Sequence, residues 1–252
     1  MHLEHALGLR QGEMVSLIGA GGKTTTLFRL AKELRDKGGK VLLTTTTKMF
    51  KPTKPHVDRL FLVEDVAAFL PETAKIRGPV IVGAGYRVDD EDKLIGLPSA
   101  WLDRLEQSRQ FDSILVEADS AASRFFKVPS EIEPVVPKSC HLVIWVMAIK
   151  VIGQPLDPRV VYRTERAVSL LGVTPGTQLT AAHVLQLVIH PQGCLKGIPF
   201  TGRKVALLNQ ADSPDEIQRA KELAQALVHL DFERVVIASF LRDDPVEEVV
   251  MP

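Results

Sequence analysis

Eight short apolar runs rich in β-branched residues, "MVSLIG", "KVLLTTTT", "RLFLVE", "PVIVGAG", "SILVEAD", "HLVIWVMA", "KVALLNQ" and "RVVIASF", recur between helical stretches along the chain. Several are continuous rather than alternating. A strand that is apolar at every position has no face to give to water, so it belongs in a mostly parallel sheet covered by helices on both sides. The pattern predicts an α/β fold with about seven to eight strands, and helices in "TTTLFRLAKELRDKG", "SAWLDRLEQS", "DPRVVYRTERAVSLLG", "LTAAHVLQLVI" and "SPDEIQRAKELAQALVHL". The last of these opens with Ser213, Pro214 and Glu216, a capping box with proline at the first helical position. "GAGYRVDDEDKLIGLP" breaks the rhythm and reads as a hairpin added to the core, or as a loop. Residues 150–200 show helices without a clear strand, a small helical insertion within one domain spanning 1–252.

The first run leads into "GAGGKTTT". A buried strand ends at Gly19, the turn through Ala20, Gly21 and Gly22 carries no bulky side chain, and Lys23, Thr24 and Thr25 open a helix. The free N–H groups of a helix start attract an anion, glycines let backbone approach phosphate oxygens, lysine neutralises their charge, and a threonine hydroxyl can ligate Mg²⁺. The full phosphate-loop spacing needs glycine where Leu17 stands, so the match is to a shortened G-x-x-G-K-T-T loop. Such loops resemble those of the Mur ligases and of metal-chaperone and division-site NTPases.

"FDSILVEADS" delivers Glu117 and Asp119 to the carboxyl end of a strand, where ligands collect in open α/β sheets. In phosphoryl transfer such acids hold Mg²⁺ or orient the attacking group, so Lys23, Glu117 and Asp119 form the candidate catalytic set. Metal ligands are expected from Thr24, Glu117 and Thr46, the last from "LLTTTTKMFKPTKP". "LLNQADS" is similar to the N-K-x-D signature of GTPases, with Asn209 and Asp212 in place and Gln210 where lysine is usual. An aspartate there pairs with guanine's two donors and is left unpaired by adenine. Asp212 also precedes the capping Ser213, so a purely local role competes with the guanine reading. Arg124, Lys127 and Arg163 are the candidates for an anionic substrate or a developing charge.

Thirty-one basic residues balance thirty-one acidic ones, which removes the footprint expected of non-specific nucleic-acid or anionic-membrane binding. "HLVIWVMAIKVIG" is too short to span a bilayer, and "MHLEHALGLRQGE" lacks the features of a secretory signal, so a cytoplasmic protein is expected. Cys140 and Cys194 form no metal or redox spacing, and the seven histidines form no ligand pattern.

With "GAGGKTT", "TTTTK", "VEADSAASRFFKVP", "EIEPVVP", "GQPL", "YRTE" and "LLNQAD" in this order over nearly the whole chain, the sequence resembles the YqeC family, described as accessory proteins of selenium-dependent molybdenum hydroxylases. The resemblance implies a P-loop NTPase-like fold that uses Mg²⁺ with GTP or ATP, in the cytoplasm, acting beside molybdenum hydroxylases or their cofactor-maturation proteins. Ser120 and Gln210 stand where family members carry glycine and usually lysine. Two other activities fit the same motifs: a Mur-like ATP-dependent ligase or kinase acting on a small anionic substrate, and a nucleotide switch without useful hydrolysis.

Overall fold

A computed structural model of the chain describes residues 1–199 and 202–252. Among them nine strands form one sheet: β1 (Met14–Gly19), β2 (Lys40–Thr45), β3 (Arg59–Leu62), β4 (Val80–Gly85), β5 (Ser113–Glu117), β6 (Leu142–Ala148), β7 (Arg203–Asn209), β8 (Arg234–Ala238) and β9 (Val246–Val250). Their spatial order is β9-β8-β7-β6-β1-β5-β2-β4-β3. Every neighbouring pair is parallel except β8 and β9. All eight anticipated runs are strands of this sheet. The ninth, β9, was not expected: Glu247 and Glu248 interrupt its apolar pattern, and an edge strand open to solvent on one side tolerates them.

The helices are α1 (Leu3–Ala6), α2 (Lys23–Asp36), α3 (Val66–Ala74), α4 (Ser99–Gln107), α5 (Thr164–Leu171), α6 (Ala181–Ile189) and α7 (Pro214–Leu227). Side chains alternate across the sheet, so Met14 and Ile18 of β1 enter one core layer while Val15 and Leu17 enter the other. α2 covers the second layer with Leu27, Leu30 and Ala31, and α7 covers the first with Ala220, Leu223, Ala224 and Leu227. Trp145 of β6 lies at the centre of the first layer, 6.3 Å from the Phe126 ring and 6.0 Å from Phe232 between centroids.

Two local expectations are corrected and one helix is added. The "DPRVVYRTERAVSLLG" helix is confined to Thr164–Leu171, and Val161–Tyr162 instead pairs in parallel with Phe126–Lys127. Residues 150–199 are therefore not free of strand, and residue 200, the far boundary of that segment, lies outside the described residues. α3 carries Pro71 within it, which hid the helix from a pattern reading. "GAGYRVDDEDKLIGLP" does form a hairpin, Arg87–Val88 with Lys93–Ile95, and Lys48–Phe50 joins it as a third antiparallel strand.

The start of α7 carries the anticipated box. Ser213 Oγ accepts from the Glu216 N–H at 3.3 Å, and Glu216 Oε2 accepts from the Ser213 and Asp212 N–H groups, each at 2.9 Å. Ser213→Ala is expected to cost about 1 kcal/mol and to lower the melting midpoint by roughly 2–4 °C. A calorimetric melt superimposable on the wild type would contradict this. Among the described residues no helix is long and apolar enough to cross a membrane.

Candidate functional site

The carboxyl ends of β1, β5, β2, β6 and β7 lie side by side, and the loop from Gly19 to Gly22 sits among them. Its glycines answer to close neighbours. At Gly19 (φ 95°) a Cβ would stand 2.2 Å from the Val146 carbonyl oxygen, and at Gly21 (φ 79°) 2.4 Å from the Ala148 nitrogen. At Gly22 (φ 136°) it would stand 2.1 Å from Asn209 Nδ2. Backbone crowding as well as φ therefore dictates glycine at the first two positions.

The first three amides of the loop are spent on the protein. Gly19 N–H donates to Asp119 Oδ2, Ala20 N–H to the Val146 carbonyl and Gly21 N–H to the Arg124 carbonyl, each at 2.9 Å. α2 begins at Lys23 with Gly22 as its cap and no side-chain capping bond, so the amides of Gly22, Lys23, Thr24 and Thr25 have no partner among the described residues. Of the amides from Gly21 to Thr25 expected to face a polyphosphate, that of Gly21 is engaged and the last four are without a partner among the described residues.

Two acids at and just beyond the end of β5 face this helix start. Glu117 and Asp119, two residues apart, share one side of the chain, with Ala118 buried between them. Lys23 Nζ donates to the Gly19 carbonyl at 2.8 Å, lies 3.0 Å from Asp119 Oδ1 and 3.7 Å from Glu117 Oε1, and is almost fully buried with both acids. Thr24 Oγ1 donates to Glu117 Oε2 at 2.8 Å. Burial opposes the Lys23 charge, but Asp119 and Glu117 outweigh it and hold the ammonium above its ordinary value. Burial pushes the Glu117 carboxyl up, against the pull of Lys23 and the Thr24 hydroxyl. The two directions agree with the geometry: the ammonium has its closest carboxylate in Asp119, leaving Glu117 the less compensated acid.

An open cavity of about 700 Å³ lies in front of this group, a size ordinary for a small-molecule site. Gly21 to Thr25 form one wall and residues 120–125 another, while Phe28, His56, Lys48, Phe50 and Lys93 extend it beyond the loop. Glu117 and Gln210 also reach it, and Asp119 does not. Ala122 and Ser123 adopt left-handed backbone with φ of 46° and 55°, turning the second wall over the cavity. Among the described residues no three His, Cys, Asp or Glu side chains converge as a metal cage. The oxygen pair of Thr24 and Glu117 fits Mg²⁺, which binds through one or two protein oxygens and completes its shell with phosphate and water.

Other expected site residues are placed differently. Thr46 is not a ligand candidate in this arrangement: its hydroxyl donates to the Val135 carbonyl at 2.7 Å. Lys127 is buried and offers no charge to the cavity, because Nζ meets Ser120 O at 2.6 Å, Glu133 Oε2 at 3.0 Å and Asp119 Oδ2 at 3.1 Å. Arg163 pairs with Glu133 at 2.8 Å and its guanidinium lies 4.5 Å from the Tyr162 ring centre. Arg124 does line the cavity, with its guanidinium on the Pro158 and Ala122 carbonyls. Asn209 supports the loop, donating to the Gly21 carbonyl at 2.8 Å, and Gln210 donates to the same oxygen at 3.3 Å. Asp212 has both oxygens engaged, one by Lys150 at 2.5 Å and one by Ser239 at 2.6 Å, so it presents no open edge to a guanine.

Glu133 escaped the sequence reading. It sits in an irregular stretch with no period to mark it, and the one available signal was that a buried Lys127 needs a carboxylate. Cys140 and Cys194 are both buried thiols whose ionisation burial disfavours, Cys140 being pushed up to about 11.

The sequence model of the YqeC protein family matches residues 15–165, which is the phosphate-type loop, the Glu-x-Asp strand end and Glu133 together. The chain is also similar to the Escherichia coli (strain K12) "Uncharacterized protein YqeC", with 35% identity over 222 residues, covering 88% of this chain and 85% of that one.

Proposed function

This chain belongs to the YqeC family, and on that premise we propose that it is a Mg²⁺-dependent nucleotide-binding protein of the P-loop type that hydrolyses ATP or GTP slowly and serves the maturation of a molybdenum-cofactor hydroxylase. The observation that carries the nucleotide reading is the Thr24 hydroxyl held 2.8 Å from Glu117 beside four unpartnered amides and the Lys23 ammonium, all at one cavity. The amides of Gly22 to Thr25 take phosphate oxygens, and Lys23 turns from Asp119 to neutralise them. Thr24 and Glu117 would hold Mg²⁺, which would supply charge neutralisation to the phosphates. Arg124 stands at the cavity wall for charge that develops during transfer.

The engaged carboxylate of Asp212 supports a site with little preference between bases. ATP and GTP are expected to bind within about tenfold of each other, a difference of roughly 1.4 kcal/mol or less. The test is titration calorimetry of wild type and Glu117→Gln with each nucleotide, with and without Mg²⁺. Glu117→Gln is expected to weaken the metal-dependent part of binding about 10- to 100-fold, the range known for disturbed metal shells. Wild-type protein that binds neither nucleotide removes the reading.

The extension of the cavity toward Lys48, Lys93 and His56 favours a second reading, transfer of the γ-phosphoryl to a small acid in the manner of a ligase or kinase. Phosphate release that requires an added small acid would favour it. The molybdenum-hydroxylase client is tested separately by whether loss of this protein lowers the cofactor content of such an enzyme.

A further inference from the structure

Behind the loop runs a buried chain of alternating charges, of which the nucleotide reading uses only the first two members. From Lys23 it passes to Asp119, then to Lys127 and Glu133, and ends at Arg163 before the first turn of α5. Together with Glu117 it holds three cations and three carboxylates, so the loss of any one member alone leaves a net charge. Lys127 is 1% exposed at its side chain, donates to the Ser120 carbonyl and Glu133 Oε2 and lies 3.1 Å from Asp119 Oδ2, so its charge is directed wholly inward. Glu133 is fixed in turn, accepting the Ser120 N–H on Oε1 at 3.0 Å while Oε2 meets Lys127 and Arg163. The pairing of Phe126–Lys127 with Val161–Tyr162, in which Tyr162 is the register partner of Lys127, ties this chain to the segment beyond residue 150.

Removing one member of a buried ion pair leaves an uncompensated charge, which is the costly case. Lys23 is the member that a nucleotide would draw away. Asp119 then depends on Lys127 to keep Oδ2 on the Gly19 amide, and that hydrogen bond fixes the start of the loop.

We propose that Lys127, braced by Glu133 and Arg163, is a positioning residue that holds Asp119 on the Gly19 amide, and that nucleotide affinity is thereby linked to Arg163 at the far end of the chain. The affinity link rests on the nucleotide reading above, whereas the hold on the loop does not. Hydrogen exchange at the Gly19 amide without nucleotide reads the hold, and calorimetry with Mg-ATP reads the link.

Arg163→Gln, altered at the partly exposed end, is expected to accelerate Gly19 exchange about tenfold and to weaken Mg-ATP binding by about the same factor, within the range of couplings transmitted through contiguous networks. Arg163→Lys, which keeps the charge, restores both to within about twofold of wild type. Glu133→Gln moves both in the same direction as Arg163→Gln, so the proposal stays decidable if Lys127→Met fails to fold. Unchanged Gly19 exchange in both Arg163→Gln and Glu133→Gln overturns the positioning role. Faster exchange with unchanged Mg-ATP affinity overturns the link, and a wild-type protein that binds no nucleotide overturns it together with the reading it rests on, leaving the exchange result to decide the hold alone.

Discussion

Lys23→Ala is expected to abolish measurable nucleotide binding and, in the same molecule, to lower the melting midpoint by roughly ten degrees. The binding loss follows from removing the ammonium that lies beside the four unpartnered amides of the proposed phosphate site. The stability loss follows from Asp119 and Glu117, which stay buried at 3.0 and 3.7 Å from an ammonium that is no longer there. Breaking a buried pair costs about 3–5 kcal/mol, and each kcal/mol shifts the midpoint of a chain this size by roughly 2–4 °C.

The deficit should depend on pH in one direction. Burial already pushes the Glu117 carboxyl above its ordinary 4.5, and loss of Lys23 removes the nearest charge that pulls it down. A carboxyl raised in the folded state binds its proton more tightly there than in the unfolded chain. Its contribution is present at low pH and is lost as pH rises through the folded value. The wild-type Lys23 is raised above 10.5, so its contribution is fully present below the unfolded value and is lost only as pH rises through the higher folded one. The gap between variant and wild type should therefore narrow as pH falls from 8 to 5. Differential scanning calorimetry across that range decides it, and a gap that widens on acidification would count against the ion-pair account.

Gly19→Ala should be about as damaging, for reasons of shape rather than charge. The added methyl meets the Val146 carbonyl oxygen at 2.2 Å, and Val146 is the register partner of Gly19 across β1 and β6. Neither atom belongs to a flexible side chain, so relief requires the two strands to part at their ends. A left-handed alanine costs about 1–2 kcal/mol and overpacking about 1–3 kcal/mol more. Gly176→Ala is the matched control, with φ of 84° and nothing within 4 Å of the added atom. The difference in denaturation midpoint between the two variants isolates the clash, and equal midpoints would refute it.

Much of the fold was legible because continuous apolar strands and amphipathic helices leave few alternatives. β1, β2 and β5 to β8 are buried along nearly their whole length, and each announced itself as an unbroken run. β9 did not, because two consecutive glutamates break its apolar run at an edge, and α3 did not, because a proline inside a helix reads as a stop. The loop with its lysine, and the acids at the end of β5, were legible from order and spacing. Which partner each polar group would choose was not. Thr46, Lys127 and Asp212 carry suitable chemistry, yet Val135, Glu133 and Lys150 reach them first, and those partners lie between 6 and 89 positions away. Propensity is local, whereas the partner of a buried lysine or aspartate is chosen by tertiary packing.

The first three amides of the loop are fastened by three different parts of the chain: Asp119 after β5, Val146 in β6 and Arg124 in the wall that follows Asp119. Asn209, from β7, grips the Gly21 oxygen from a fourth. Such a ring of anchors spreads control over the loop through sequence positions that lie outside it. Variation that retunes it should accumulate around residues 124, 146 and 209 while the heptapeptide from Gly19 to Thr25 stays the same, so two homologues with identical loops can differ in what the loop grips.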